Sequence, residues 1–299
     1  MRLSNLTKGP FVNSPISLQK TPSCRTEAIP SVDWWVTSRC NLTCDFCYGP
    51  KPSHDPTELR DAIALAIRES SARAVTFCGG EPLLVKKLFE YAEMQQDAGK
   101  MTVLNTNGEL LLRRCATMRA LPFDVVGISI DGPDEPTHRL MRGATADFRQ
   151  TVRAAEWLRA EHLPVKRKIA TVISAANRAR IDDLGRLVAR LQPDIWRLYQ
   201  YSPWGPQNTG QTRHQITREV FDEVVRHATE SAHPVEVRAS STDTTGGCLL
   251  VDPFGRIMQT DGLDYVEAGN CLHEPIEDIW HRLPEQSAVR TNKLWLRTL

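Results

Sequence analysis

The stretch Cys40-Asn-Leu-Thr-Cys44-Asp-Phe-Cys47-Tyr48 places three cysteines within a run of eight residues. Three residues separate the first pair, two separate the second, and the aromatic Phe46 directly precedes the last cysteine. Thiolates this close cannot all pair as disulfides, but they can converge on one soft metal centre. Because no fourth cysteine follows at matching spacing, the centre keeps one coordination position open, which is typical of a catalytic metal site.

In this spacing and its aromatic residue the chain resembles the radical S-adenosylmethionine (radical SAM) superfamily. The resemblance implies that Cys40, Cys44 and Cys47 hold a [4Fe–4S] cluster, which is also the catalytic centre. It further implies that the amino and carboxylate groups of S-adenosylmethionine (SAM) bind the iron that has no cysteine. The cluster and SAM are therefore the cofactors that we expect.

Taken alone, the triplet also allows a zinc site, because short cysteine spacings commonly bind zinc. His54 would then be the fourth ligand, seven residues after Cys47. Buried cysteines without a ligand role fit less well, because Asp45, Gly49 and Pro50 indicate a loop.

The bulk composition excludes several classes of protein. The chain has 299 residues, 41% of them hydrophobic, and a net charge of +1. This length allows one barrel-sized domain or a domain with an appendage, and the near-neutral charge does not favour a nucleic acid polymer or a membrane as partner. No apolar run spans a bilayer, and eight cysteines without a signal peptide predict a reducing, cytoplasmic location.

Short β-rich runs alternate with runs of helical spacing along most of the chain. Predicted strands cover 32–37, 74–78, 101–104, 124–130, 165–173 and 195–201, and predicted helices cover 57–70, the segment from 82 to about 96, 109–120, 148–161, 181–191 and 221–231. Such alternation predicts a parallel sheet with right-handed crossovers, and six units are too few for a complete eightfold barrel. We predict an α/β fold, a partial, TIM-like (β/α)6 barrel, which the resemblance also implies.

Three segments follow from this pattern. Residues 1–30 form a polar N-terminal extension, residues 31–234 the core barrel, and residues 235–299 a small β-rich C-terminal appendage. In the appendage, 235–238, 248–252 and 256–259 suggest antiparallel β-structure, with a turn at Asp252-Pro-Phe-Gly255.

Gly79-Gly80-Glu81-Pro82 follows the second predicted strand, at the rim where such barrels place their sites. The glycines allow close backbone approach to a ligand, and the carboxylate can pair with an amine. Alone the motif is no more than a turn. After the cysteine triplet it resembles the superfamily's Gly-Gly-Glu-Pro motif, which implies that Gly79, Gly80 and Glu81 receive the amino group of SAM.

Three more residues resemble SAM contacts of the superfamily. Asn105 opens Asn-Thr-Asn-Gly at the end of the third strand, where a plain polar turn is the alternative. Ser129 matches the strand-four residue at the SAM ribose or carboxylate. Arg142 matches an arginine at that carboxylate, since only arginine offers a bidentate fork; a surface arginine is the alternative. A zinc protein has no reason to reproduce all these motifs in order.

The resemblance implies that one electron from the reduced cluster cleaves SAM, and that the resulting 5′-deoxyadenosyl radical abstracts hydrogen from a substrate. The cofactor carries the difficult step, and the protein positions the target carbon. An electron donor such as flavodoxin or ferredoxin is the implied protein partner.

The second half of the chain resembles the viperin group, which dehydrates nucleoside triphosphates at the ribose. Lys168-Ile-Ala-Thr-Val-Ile173 and the segment 194–200 carry this resemblance, although Ala170 and Arg197 replace an Asn and a Lys of that group. Lys168 and Arg197 are therefore candidate anion contacts, joined by Tyr199, for a nucleotide, nucleoside or sugar that is dehydrated or oxidised. The alternative is that both cations pair with local carboxylates.

A peptide-modifying radical SAM enzyme of RiPP or natural-product biosynthesis is the alternative function. Cys248, the turn at 252–255 and Gly269-Asn-Cys271 resemble a degenerate SPASM/twitch-like tail. Thr260 stands where that tail has a cysteine, and two cysteines are too few for an auxiliary cluster with four cysteine ligands. A metal-binding scaffold without turnover is a further alternative, against which the intact triplet and Glu81 argue.

Overall fold

The computed structural model describes residues 28–49, 55–115, 120–205, 208, 210–242, 249–261 and 264–283. The strands in these ranges are β1 (Val32–Thr37), β2 (Ala74–Gly79), β3 (Met101–Thr106), β4 (Val125–Ser129), β5 (Lys166–Ile173), β6 (Ile195–Gln200), β7 (Glu236–Ser240), β8 (Leu249–Val251), β9 (Arg256–Asp261) and β10 (Asp264–Asn270). The helices are α1 (Arg60–Glu69), α2 (Leu88–Asp97), α3 (Leu111–Cys115), α4 (Glu135–Arg142), α5 (Phe148–Ala160), α6 (Ile181–Leu191), α7 (Arg218–Ser231) and α8 (Ile276–Arg282).

The described strands form one sheet in the order β10-β9-β8-β1-β2-β3-β4-β5-β6-β7. Strands β1 to β7 pair in parallel with their neighbours in the chain. On the other side of β1 lie the parallel strand β8 and the antiparallel strands β9 and β10. The predicted α/β fold, with a parallel core and a β-rich C-terminal region, is confirmed.

The predicted direction of one C-terminal strand was wrong. Segment 235–238 suggested antiparallel structure, but β7 pairs in parallel with β6. The predicted antiparallel hairpin is confirmed for β8 and β9, which pair around the turn at 252–255, and β8 also pairs in parallel with β1. The helix α7 lies between β6 and β7, and a helical crossover returns the chain in the same direction. The sheet therefore runs across the predicted boundary at residue 234, which stays a prediction. Residues 1–27 of the predicted extension lie outside the described residues.

Alternation along β5 defines the two faces of the sheet. Ile169 and Ile173 are buried in the main hydrophobic core together with Leu184 and Val188 of α6. Because successive side chains of a strand point to opposite faces, Lys168 lies on the other face, which is the interior of the partial barrel. Helices thus cover the apolar face, and the interior holds polar side chains.

The helix α4 is missing from the sequence prediction, although its capping residues are ordinary. The Asp134 side chain accepts a hydrogen bond from the Thr137 N–H at 2.9 Å, and Pro136 stands in the first turn. Gly143, at a φ of 97°, ends the helix. This helix places Arg142 near residues 38–49, which follow β1, carry the three cysteines and are called the cysteine loop below.

Over the described ranges, none of the helices has the length and apolar character needed to cross a membrane.

Candidate active site

The loop after β1 carries the three predicted cluster ligands, Cys40, Cys44 and Cys47, all of them half-buried. The Leu42 N–H donates to the Cys40 sulfur, and the Gly49 N–H donates to the Cys47 sulfur, each at 3.4 Å. Backbone donors of this kind stabilise iron-bound thiolates and tune the potential of the cluster. Three sulfurs in one loop, supported by the backbone, form a donor set that fits an iron–sulfur cluster.

Burial raises the pKa of Cys40 and raises that of Cys44 to about 12. The guanidinium of Arg142 opposes this shift at both cysteines. Cys44 would give up its proton on binding iron, and the positive charge of the neighbouring Arg142 favours the resulting thiolate.

The described residues include no group of three His, Cys, Asp or Glu side chains that could share a single metal ion. A tetrahedral zinc ion would hold its sulfur ligands about 4 Å apart, whereas each cysteine of a [4Fe–4S] cluster binds its own iron. His54, the fourth ligand of the zinc alternative, lies outside the described residues.

Gly79 and Gly80 pack against the backbone that leads into the cysteine loop. A Cβ at Gly80 would lie 2.0 Å from the Arg39 carbonyl oxygen, and one at Gly79 would lie 2.5 Å from that of Thr37. The Gly80 N–H donates to the Thr37 carbonyl at 2.8 Å. The Glu81 N–H donates to the Arg39 carbonyl, also at 2.8 Å. The close approach that these glycines allow is thus to protein backbone, and their contact with SAM stays a prediction.

The Glu81 carboxylate connects the ends of β2 and β3. It is 1% exposed and accepts hydrogen bonds from the Leu83 N–H (3.0 Å), the Thr106 hydroxyl (2.7 Å) and the Asn107 N–H (2.8 Å). Burial raises its pKa, although these donors oppose the shift. Since a carboxylate accepts about four hydrogen bonds, one acceptor position remains for the amine that the sequence predicts there.

Arg142 joins the end of β4 to the cysteine loop. Its guanidinium forms an ion pair with the fully buried Asp131 and lies 5.4 Å from the centre of the Phe46 ring. Burial acts to lower its pKa, but Asp131 and Cys44 outweigh burial and the pKa is raised. Ser129 ends β4 two residues before Asp131 and is half-buried. Arg142 is therefore a permanent positive charge beside the predicted cluster.

Asn105 lies beside a predicted substrate residue. Its side-chain oxygen accepts a hydrogen bond from Lys168 Nζ at 2.7 Å, across Gly127 of β4. Asn107, which the sequence analysis did not select, donates to the side chain of Asn41 in the cysteine loop at 2.8 Å. Asn107 directly follows the end of β3, and its place in the Asn-Thr-Asn-Gly motif is the signal that could have identified it.

The three predicted substrate residues line one cavity of the barrel interior. Lys168 and Arg197 are 8% and 7% exposed, and Arg197 donates to the Ser240 hydroxyl. The Arg197 guanidinium lies 5.5 Å from the centre of the Tyr199 ring. Arg238, which the sequence analysis did not select, lines the same cavity and pairs in register with Arg197. The cavity wall is therefore cationic.

The fold and this site define a class of enzyme, and comparison with known proteins identifies it. The family model of the Radical SAM superfamily matches residues 35–187. The chain belongs to the radical SAM superfamily, as predicted. It is a radical SAM enzyme, and its cofactors are a [4Fe–4S] cluster and SAM.

Individual relatives carry different names. An "AdoMet-dependent heme synthase" of Nitratidesulfovibrio vulgaris is 24% identical, with 95% of this chain and 86% of that protein covered. An "S-adenosylmethionine-dependent nucleotide dehydratase" of Flammeovirga pacifica is 25% identical, with 85% and 91% covered. The structure of Streptococcus suis SuiB bound to S-adenosylmethionine has a TM-score of 0.66 at 15% identity, over 86% of this chain and 67% of SuiB. This last likeness is one of fold.

Replacing Cys44 by alanine is expected to abolish cluster assembly, because one iron loses its ligand. Iron analysis and the visible spectrum after anaerobic reconstitution measure this, together with formation of 5′-deoxyadenosine. The control is Cys115→Ala, which removes a fully buried thiol from α3 and should leave the iron content unchanged. A Cys44 variant that still binds about four irons and cleaves SAM would refute the ligand assignment.

Replacing Gly80 by alanine is expected to lower the free energy of unfolding by about 3 kcal/mol or more and to reduce iron incorporation. The reason is the 2.0 Å approach of the new Cβ to backbone at Arg39. Urea unfolding of the metal-free protein and iron analysis measure the two effects. In the control Gly99→Ala the Cβ meets nothing within 4 Å, so only the strain of its positive φ remains. Equal iron content in both variants would contradict the proposed contact between the loops.

Proposed function

We propose that this radical SAM enzyme acts on a small anionic substrate, of the nucleotide, nucleoside or sugar kind, bound inside the partial barrel and dehydrated or oxidised there. The observation that carries the proposal is the pair of buried cations, Lys168 and Arg197, on adjacent strands of the interior face. The nucleotide dehydratase among the relatives supports it, since anionic phosphates need such cations.

The arrangement of the strands supports an anion site. Because Gly127 on β4 has no side chain, the Lys168 side chain can pass over this residue and donate to the Asn105 side chain. Arg197 and Arg238 are register partners on β6 and β7. Arg238 pairs with Glu236 at 2.6 Å, so Lys168 and Arg197 are the two cations that we assign to the anion.

The opposite wall of the interior is apolar. Trp35, Cys78 and Leu250 are buried in one cluster with the partly buried Met258 and Tyr265. Such a wall excludes water and holds the uncharged part of the substrate. When bound, the cluster and SAM supply the hydrogen-abstracting radical chemistry. The residues of this chain then fix the anionic end of the substrate at Lys168 and Arg197 and leave the other end against the apolar wall.

Replacing Arg197 by alanine is expected to weaken substrate binding by about 10- to 100-fold, the usual loss for a hydrogen bond to a charged group. SAM cleavage without substrate should stay unchanged, because Arg197 lies on β6 and not in the cysteine loop. Substrates come from a screen of nucleotides, nucleosides and sugars for increased 5′-deoxyadenosine under strong reductant. The apparent KM of the hit is then compared between the variants.

Arg197→Lys should restore part of the affinity, and Arg186→Ala, which removes an exposed arginine of α6, should change nothing. An Arg197→Ala enzyme with the affinity of the parent would overturn the anion site. Flavodoxin or ferredoxin as the electron donor stays a prediction.

Peptide modification is the second candidate, because β8 and β9 form an antiparallel hairpin around the turn at 252–255 that resembles the predicted tail. Cys271 lies directly after β10, 7% exposed, and burial raises its pKa to about 12. Cys248 lies outside the described residues.

Iron content separates the two candidates. We expect the anaerobically reconstituted protein to bind about four irons per chain, as one cluster requires. The control is Cys271→Ala, which should leave that number unchanged. A content of about eight irons that falls in this variant would favour the peptide-modifying class.

A further inference from the structure

Described residues of the segment between β6 and α7 contact the backbone of the cysteine loop. Asn208 is fully buried, and its side-chain amide donates to the carbonyls of Cys47 (2.9 Å), Phe46 (3.3 Å) and Trp204 (2.9 Å). The amide group of Asn208 therefore joins two neighbouring residues of the cysteine loop to Trp204, which lies shortly after β6.

A second group of contacts holds Asp45, which lies between the second and third cysteines. Its carboxylate accepts a hydrogen bond from His214 Nε2 at 2.8 Å and pairs with Arg213 at 2.7 Å. Its backbone carbonyl accepts from the Gln211 side chain at 3.1 Å. We call Asn208, Gln211, Arg213 and His214 the clasp.

His214 has a fixed place in the clasp. Its side chain is 5% exposed, and its ring packs against Tyr201 (5.2 Å between centroids) and Phe46 (6.2 Å). Every residue from Asp45 to Cys47 is thus held by a segment that lies more than 160 positions further along the chain.

The cysteine loop has little internal support. It contains no helix or strand. Within it, the Cys47 N–H donates a backbone hydrogen bond to the Cys44 carbonyl at 3.2 Å. Positions of metal ligands depend on the groups that hold them, and losing such a group usually costs 10- to 100-fold in metal affinity. Hydrogen bonds and solvent exposure around the sulfurs also set the reduction potential of a cluster.

We propose that Asn208 and His214 are positioning residues of this enzyme: through the carbonyls of Phe46 and Cys47 and the carboxylate of Asp45, they fix the segment that carries two cluster ligands. The clasp determines how firmly the cluster is held and at what potential it accepts an electron. This inference depends on the cluster and is independent of the proposed substrate.

The test uses Asn208→Asp, which keeps the size of the side chain but removes the donor group, together with Asn208→Ala and His214→Ala. We expect each variant to lose iron to a chelator about tenfold faster or more and to shift the midpoint potential measured by EPR-monitored titration. In the metal-free protein, hydrogen exchange of residues 40–49 should be faster. His214→Gln, which can still donate to Asp45, should restore part of the iron retention.

The matched control is Gln95→Ala. Gln95 is also fully buried, and its amide donates to the Ala64 carbonyl at 2.9 Å, far from the cysteines in the α1–α2 packing. If Gln95→Ala lowers the melting temperature without changing iron loss or potential, the effect of the clasp is one of position. Parental iron loss and potential in Asn208→Asp and His214→Ala would overturn the proposal, and so would an equal change in Gln95→Ala. If Asn208→Ala does not fold, Asn208→Asp and His214→Ala decide alone.

Discussion

Parallel pairing of β1 to β6 is the constraint on which the site depends, because it brings the ends of six strands to one edge of the sheet. The segments that follow these strands then bond to each other. Backbone joins the glycine turn after β2 to the entry of the cysteine loop, and the Glu81 carboxylate joins that turn to Asn107 after β3. Arg142 adds the end of β4 through Asp131. A change of register in any one pair would separate these groups.

The interior of the barrel has two chemically different walls. The cationic wall belongs to β5, β6 and β7, and the apolar wall belongs to β1, β2 and β8. The apolar wall is the one next to the cysteine loop, since Trp35 lies on the strand that enters it and its ring is 6.1 Å from that of Tyr48. An apolar wall at this place keeps water away from the predicted cluster site.

Patterns of neighbouring residues in the sequence predicted those features of the fold and site that depend on neighbouring residues. The positions of strands and helices follow from hydrophobic periodicity, and the cysteine and glycine motifs are recognised by the spacing of their residues. The direction of β7 depends on its partner strand, which no local pattern specifies. Lys168 and Arg197 could be selected by resemblance, but Arg238 enters the cavity only through its register with Arg197. Asn208 likewise meets Cys47 across 161 positions of sequence, so only the folded chain reveals that contact.

The strand β6 links the two halves of the site. Arg197 and Tyr199 lie on its interior face, and the loop at its end holds Phe46 and Cys47. Because β6 is paired on both sides, by β5 and by β7, the distance between the cationic wall and the cysteine loop is fixed by backbone hydrogen bonds. For the substrate that we propose, with its anionic group at Lys168 and Arg197, this distance sets the length between that group and the reacting carbon. The proposed selection is therefore by length as well as by charge.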